Sequence, residues 1–513
     1  MDRAAAFPLH LIGGDDDDQL SEQELADVAP RCTDSANADA FVRRHGDGFR
    51  YVIEWGRWLA WSGERWKDTG AAGRVVHAAM LSAREDYALV KTQIAEVEET
   101  QRKARLEAKT DDVERLELKL KSLRTLIKWH EQSQNAARLN ACAALLTTRL
   151  TITIAELDAH PWLLNVSNGT VDLRTSDLHE HSRDDYLTQL TPIEWDDDAS
   201  CPTWCQFLDQ AKGGDTLLVL YLQRIVGYTL TGLTSEQALF FHYGSGSNGK
   251  STFLTVLKEM LGEYACSAPR DLLMVQKTPK HETEIARLHG KRLATGAEVG
   301  DGQRFDEAKV KDLTGSDIMP ARRMNEDFWD LVPTHKLMLA GNYKPTIVGA
   351  DHGIWRRIRL VPWLVTVSDT DKDRELPAKL KREMSGVLRW AVHGCLEWQR
   401  HRLEEPPAVL EATMTYRLES DVVGAFLDAH CAFDPSYSMS KATLRERYER
   451  WSKEAGHEPV GGRRMAARLR ERGAVEVTVR EGGMTRHGWR GVRMLTDAEQ
   501  FARTQPASGE PLS

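Results

Sequence analysis

The sequence predicts an α/β P-loop core, preceded by a mixed α+β and helical N-terminal region and followed by a C-terminal winged-helix domain. Three stretches carry that reading. Residues 238–243, "ALFFHY", are a short apolar run that enters the turn "GSGSNGKS". A helix-spaced set follows, with Phe253, Val256, Leu257, Met260 and Leu261 at i, i+3, i+4, i+7 and i+8. Downstream, "KRLATGAEVG" (291–300) and "THKLMLAGNYKP" (334–345) are apolar runs bounded by turn residues, as core strands are. After Ser420 the pattern gives three helices (421–431, 439–454, 462–472), then the strands "AVEVTV" and "WRGVRML" about a glycine-containing turn.

The chain has 513 residues, more than one core holds. An acidic, disordered arm is expected through residue 30, with "DDDD" at 15–18 as a solvated run. A tryptophan-rich module of short strands follows over 31–75, containing "RYVIEWGRWLAWSGERWKDTG". Residues 76–150 are charged and helical, either one long helix or a helical hairpin. Residues 151–235 read as mixed, with turns at "SNGT" (167–170) and "DDDAS" (196–200). The P-loop core spans 236–365, a helical lid or linker 366–420, the winged helix 421–496 and a disordered tail 497–513.

Hydrophobic content of 41% with 28% charged residues fits a globular chain. No apolar run approaches the ~20 residues that span a bilayer, so no membrane partner is expected. The stretch "MDRAAAFPLHLIGGDDDDQL" has the wrong flanks for a secretory signal. Seven cysteines without paired zinc spacing predict reduced thiols and a cytoplasmic location. Cys201 and Cys205 in "CPTWC" read as buried small residues, not as a metal site. The net charge is −9, yet between Lys441 and Arg493 fourteen basic residues face seven acidic ones. Charge location, not its sum, is what points to nucleic acid.

Gly244-x4-Gly249-Lys250-Ser251 satisfies the P-loop pattern in a strand-before, helix-after context. Gly244, Ser245, Gly246, Ser247, Asn248, Gly249, Lys250, Ser251 and Thr252 are therefore the candidate phosphate-binding residues. Glycines let backbone N–H groups wrap a phosphate at the positive end of a helix. Lys250 would reach the β- and γ-phosphates and Ser251 would hold Mg²⁺. Such a site also needs an acid at a neighbouring strand end, which "RLATGAEV" offers as Glu298, with Asp301 a weaker candidate. "LMLAGN" ends in Asn342, an amide placed to orient water and sense the γ-phosphate. In "HGIWRRIRLVPW", Arg356 and Arg357 are either a solvated edge or an arginine finger for a neighbouring subunit.

The order of these pieces resembles the superfamily 3 helicases, and within them the phage/plasmid primase–helicase family related to the poxvirus primase–helicase. "LHGKRLATGAE" resembles the family's strand ending in Glu, and Lys311 to Asp317 its K-x-L-T-G-x-D core. "HPWLLNVSNGTVDLRT" (160–175) is similar to its N-x-x-N-G-x-x-D-L segment, and "TRHGWRGVRML" to its winged-helix ending. The resemblance implies an AAA+-like ATPase using ATP and Mg²⁺, a ring that is usually a hexamer, and 3′-to-5′ unwinding of duplex DNA from one strand. It implies Lys250 and Ser251 on phosphate and metal, Glu298 activating water and sharing the metal, and Asn342 as sensor. Arg357 is the implied finger in trans, with Arg356 as runner-up. A channel hairpin is implied between Ala321 and Lys336, with Lys311, Arg322 and Arg323 as candidate DNA contacts. Arg463, Arg464, Arg468 and Arg470 on "GGRRMAARLRERG" are candidate contacts of a recognition helix.

Two departures stand out. Ala297 occupies the place where many superfamily 3 strands carry a second acid. The residues before the P-loop offer no carboxylate and histidine set for a primase–polymerase, so a separate primase is an expected partner. The alternative reading is a replication initiator or helicase loader that binds DNA and uses ATP for assembly.

Overall fold

The computed structural model describes residues 32–500 except 270, 277–282, 298–299, 301, 325, 348–351, 369, 371, 457–458, 482 and 497. The expected N-terminal arm and most of the C-terminal tail lie outside the described residues. The chain divides into two compact units, one ending at Glu156 and one beginning at Leu157.

In the first unit, α1 (Asp34–His45) starts where the Thr33 hydroxyl accepts the Ala36 N–H, an N-cap that satisfies one orphan donor. A four-stranded sheet of order β3-β2-β1-β4 follows from β1 (Phe49–Val52), β2 (Arg57–Trp61), β3 (Trp66–Lys67) and β4 (Thr151–Ile152). α2 (Ala71–Leu106) and α3 (Thr110–Gln132) form a helical hairpin, with Val90 and Val97 buried against Leu120, Leu123 and Leu126. This settles the helix-or-hairpin alternative. α4 (Ala136–Arg149) closes the unit. Phe41, Trp58, Val75, Leu139 and Leu146 share one core, so the expected boundary near residue 75 is absent. The tryptophan-rich strands cannot bury their faces alone and do so on α2 and α4.

The second unit opens with three antiparallel strands, β5 (Leu163–Val166), β6 (Gly169–Asp172) and β7 (Asp177–His179). Helices α5 (Pro202–Ala211) and α6 (Thr216–Leu230) follow. The centre is a five-stranded sheet of order β14-β8-β13-β10-β9, parallel throughout. Its strands are β8 (Leu239–Tyr243), β9 (Ala265–Ser267), β10 (Leu293–Ala297), β13 (Lys336–Gly341) and β14 (Ile358–Pro362). α7 (Lys250–Leu261) follows β8, and α8 (Glu307–Thr314) precedes a hairpin of β11 (Met319–Ala321) and β12 (Trp329–Leu331). The α/β class and the apolar runs taken as core strands thus agree with the structure.

α9 (Met384–His401) and α10 (Pro407–Ser420) pack back onto the sheet region. Leu164, Trp204, Phe253, Trp363 and Val387 lie in one core, so the segments expected at 151–235, 236–365 and 366–420 pack together. Arg292, buried at the start of β10, donates to the carbonyls of Pro161 (2.8 Å), Leu230 (2.7 Å), His160 (3.3 Å) and Leu163 (3.1 Å). Those bonds tie the segment before the sheet to the sheet itself.

The C-terminal portion runs α11 (Val422–His430), β15 (Cys431–Ser440), α12 (Lys441–Glu454), α13 (Gly462–Glu471), β16 (Val475–Glu481) and β17 (Met484–Met494). Its antiparallel sheet has the order β15-β17-β16. β15 is a strand the sequence reading lacked, lying between the first two helices.

α6 and α9 approach backbone to backbone. A Cβ on Gly227 would sit 2.0 Å from the Cys395 nitrogen, and one on Gly394 would sit 2.1 Å from the Gln223 carbonyl oxygen. Gly227→Ala must therefore spread two buried helices, an overpacking that costs roughly 1–3 kcal/mol. We expect its thermal midpoint to fall by about 5 °C. Gly73→Ala, in α2 with nothing within 4 Å of the added methyl, should leave the midpoint unchanged or raise it.

Candidate functional site

β8 is buried along Leu239–His242, which fixes where its carboxyl end emerges. The chain then turns through Gly244, where a Cβ would sit 2.1 Å from the Trp363 carbonyl oxygen and 2.3 Å from Asn248 Nδ2. Gly246 (φ +107°), Ser247 (φ +48°) and Gly249 (φ +88°) are left-handed, a run of backbone that forms anion-binding concavities. Only glycine also fits at Gly249 for a second reason, because a Cβ there would meet Phe207 of α5 at 2.8 Å. Helix α7 starts at Lys250 and buries Phe253, Val256, Leu257, Met260 and Leu261, the set expected from periodicity.

Parallel pairing sets Gly341 of β13 opposite Tyr243 of β8, so Asn342 emerges beside Gly244. The Lys250 ammonium donates to the Gly244 carbonyl (2.7 Å), Asn248 Oδ1 (3.0 Å) and Asn342 Oδ1 (3.2 Å). Burial holds the Lys250 pKa below the ordinary lysine value. Two residues that the sequence places 92 apart thus meet at the ends of adjacent strands. Ser245 and Ser247 are exposed, Ser251 is exposed on the first turn of α7, and Thr252 is half-buried. Glu298 follows β10 and, with Asp301, lies outside the described residues.

The loop leans on groups that the sequence reading missed. Asn248 Nδ2 donates to the Trp363 carbonyl (2.8 Å), and Trp363 Nε1 donates to His242 Nδ1 (3.0 Å). Lys212, just past α5, donates to the Pro362 carbonyl (2.8 Å) with its nitrogen 3.3 Å from the Trp363 ring centroid. Burial, with some contribution from Lys250, pushes the Lys212 pKa down to about 6. No local pattern in "DQAKGGD" announces a buried lysine, because its partner lies 150 residues away.

Arg356 and Arg357 sit at the far end of the sheet. β14 pairs with β8 from Ile358 opposite Leu239 to Pro362 opposite Tyr243. The arginines are thus a full strand, roughly 17 Å, from the glycine loop of the same chain. Arg357, preferred in the sequence reading, is buried and donates to the Gly353 carbonyl (2.8 Å). Arg356 is exposed, with Nη2 3.3 Å from Gln237 Oε1. Reach outward belongs to Arg356, which reverses the expected order of the pair.

The hairpin β11–β12 falls in the region expected to carry one. Arg322 lies 4.6 Å over the ring of Phe328, and Met324 and Phe328 are exposed. Arg322 and Arg323 are half-buried, as is Lys311 on α8. On α13, Arg463 is exposed and Arg464 partly so. Arg468 turns inward instead, pairing with Asp421 (3.1 Å) and Glu471 (2.6 Å) with its side chain 16% exposed. Asp421 also caps α11, so Arg468 holds the module together and is withdrawn as a contact. Arg470 pairs with Glu476. Among the described residues no cluster of three or more His, Cys, Asp or Glu could hold a metal ion, and no helix is long and apolar enough to cross a membrane. Cys201 is buried while Cys205 is exposed, which corrects half of that pair's expected burial.

Lys212 gives the site a pH signature. Its folded pKa lies below the ordinary 10.5, so between about 6 and 10.5 the folded state binds fewer protons than the unfolded chain. Stability then rises with pH through that window by up to about 1.4 kcal/mol per unit. Lys212→Met lacks this slope. Its thermal midpoint relative to wild type should be highest near pH 6 and decline steadily towards pH 9.

Residues 38–212 match the family model described as "D5 N terminal like", and residues 242–357 match a family of unknown function, DUF5906. The chain is 25% identical over 299 residues to "Putative helicase L207/L206" of Acanthamoeba polyphaga mimivirus, covering 53% of this chain and 31% of that protein. It is 24% identical over 218 residues to "Putative primase C962R" of African swine fever virus, covering 40% of this chain and 22% of that protein. The chain therefore spans about a third or less of the curated relatives it matches. The solved C-terminal region of NrS-1 is similar at 10% identity and a TM-score of 0.35, over 59% of this chain and 77% of that one, too slight a likeness to carry an argument. Residues 38–212 thus resemble the D5 N terminal like region, and the matches to viral proteins named putative helicase and putative primase support a phage or viral primase–helicase-like family for this chain.

Proposed function

We propose that this chain is an ATP-driven DNA helicase of the superfamily 3 kind, working as a ring, usually a hexamer in this family, that moves 3′ to 5′ on one strand during replication of a phage, prophage or plasmid. The observation that carries the reading is the Lys250 ammonium gathered by Gly244, Asn248 and Asn342 at the carboxyl ends of two adjacent parallel strands. Open α/β sheets bind their ligands in that place. The left-handed loop residues and the N-terminus of α7 suit a triphosphate. Ser251, exposed at the first turn, suits a magnesium ion shared with phosphate oxygens. Bound there, the ion would neutralise phosphate charge.

In this reading Lys250 exchanges its loop acceptors for β- and γ-phosphate oxygens, and Asn342, released from Lys250, orients the attacking water with Glu298. Arg356 lies too far from its own loop and serves the nucleotide of a neighbouring copy. Arg322 and Arg323, at the β11–β12 hairpin, track backbone phosphates of single-stranded DNA, with Lys311 on α8 close in sequence. The C-terminal helices and hairpin act as a winged helix on duplex DNA, with α13 as the recognition helix and Arg463, Arg464 and Arg470 as contacts.

Strand displacement on a forked duplex with ATP and Mg²⁺ tests the reading. Lys250→Ala and Arg356→Ala should each lower hydrolysis and unwinding by about 10²-fold or more. Mixing the two variants should restore part of the hydrolysis, since each supplies what the other lacks across the subunit boundary. Arg357→Ala should instead lower the thermal midpoint. A wild type that hydrolyses ATP yet separates no strands on either tail polarity would sink the motor and leave the initiator or loader.

A further inference from the structure

A groove of ≈ 700 Å³ opens in the C-terminal module between the starts of α12 and α13, lined by Lys441, Arg445, Arg463, Arg470, Glu476 and Trp489 among others. Four cations face one acid. Arg445 is already engaged, donating to Glu449 Oε1 at 2.5 Å. The register of β16 on β17 sets Glu476 directly opposite Trp489. Lys441 lies 5.0 Å and Arg470 5.8 Å from the centre of that indole, and both pair with the two oxygens of Glu476. A single carboxylate therefore bridges two cations over a buried aromatic floor. These two pairings hold the Glu476 pKa below the usual carboxylate range, so the acid stays ionised at neutral pH.

We infer that the backbone of duplex DNA enters this groove and that Glu476 is a place-holder whose carboxylate a phosphate displaces. This one acid then sets the affinity and the salt dependence of duplex binding by the module. The inference rests on the DNA-binding reading proposed above. A phosphate diester presents two anionic oxygens to the same pair of donors that the carboxylate now serves. The exchange is easy because both ion pairs are solvent-exposed, with the Glu476 side chain 41%, Lys441 39% and Arg470 58% accessible, and exposed pairs contribute little. The indole floor keeps the two cations positioned while their acceptor changes.

The exchange has a thermodynamic signature. Duplex affinity depends on salt through the counterions that cations release from DNA, at about 0.9 per phosphate neutralised. Cations already neutralised by Glu476 add less to that slope than free ones. Removing the acid should therefore tighten binding and steepen the slope together, whereas a merely structural pair would do neither.

Fluorescence anisotropy of a short blunt duplex, titrated with the full chain without nucleotide at several salt concentrations, reads both quantities. Glu476→Gln should bind about three- to tenfold tighter at low salt, with a salt slope steeper by about 1. Glu446→Gln, which removes the same charge from the exposed Arg450 pair of α12 and does not line the groove, is the control and should shift affinity less than twofold. Equal shifts in the two variants would reduce the effect to the module's general field and overturn the inference. An unchanged or weakened Glu476→Gln would overturn it as well. Absence of duplex binding by wild type and both variants would instead remove the DNA-binding reading itself, and the inference with it.

Discussion

The candidate site depends on how β8 pairs with the strands on either side of it. β13 and β14 run parallel to β8 and end level with it, Gly341 and Pro362 both standing opposite Tyr243. That alignment delivers the glycine loop, Asn342 and Trp363 to one place. A slip of one residue in either neighbour would turn its side chains to the opposite face and withdraw its contribution. The register is held by burial on both faces: Phe240, Phe241, Leu360 and Leu337 are at most 1% exposed. The same alignment places Arg356 at the opposite edge, so one feature of the sheet both gathers the glycine loop and Asn342 and separates them from that arginine.

A second theme is the use of carbonyls as partners for buried lysine and arginine side chains. Arg292 serves four carbonyls, Lys336 serves those of Thr231, Leu233 and Thr334, and Lys212 serves Pro362. Burial lowers the pKa of all three side chains. Buried donors must find acceptors, and the carbonyls at the end of α6 also carry the negative end of a helix dipole. These bonds are mechanical links. They fix the segment from Leu157 to Leu230 against the sheet, and through Lys212 and Phe207 that segment supports the glycine loop from behind.

What was legible in the sequence was local. The glycine pattern, the apolar strand before it and the helical spacing after it each depend on a few neighbouring residues, and the Lys250–Asn342 meeting followed from strand order. The links Asn248–Trp363 and Lys212–Pro362 join residues 115 and 150 positions apart and leave no periodic trace. Two adjacent arginines read identically as letters, yet a half-turn of backbone buries Arg357 and exposes Arg356. β15 escaped notice because "CAFDPSYSMS" carries Asp, Pro and three serines. It is an edge strand whose pairing breaks between Phe433 and Ser438, where Pro435 makes no demand for a ladder bond. The boundaries near 75, 235 and 365 misled for a related reason, since composition changes there while the cores continue across.

The central claim is that residues 244–252 hold a nucleotide's phosphates. Amide hydrogen exchange, compared with and without ATP and Mg²⁺, reads that directly. The account predicts marked slowing at the amides of 244–252 and at Asn342, with Lys250→Ala abolishing the effect. Nucleotide binding that leaves those amides unchanged while protecting a different part of the chain would contradict it.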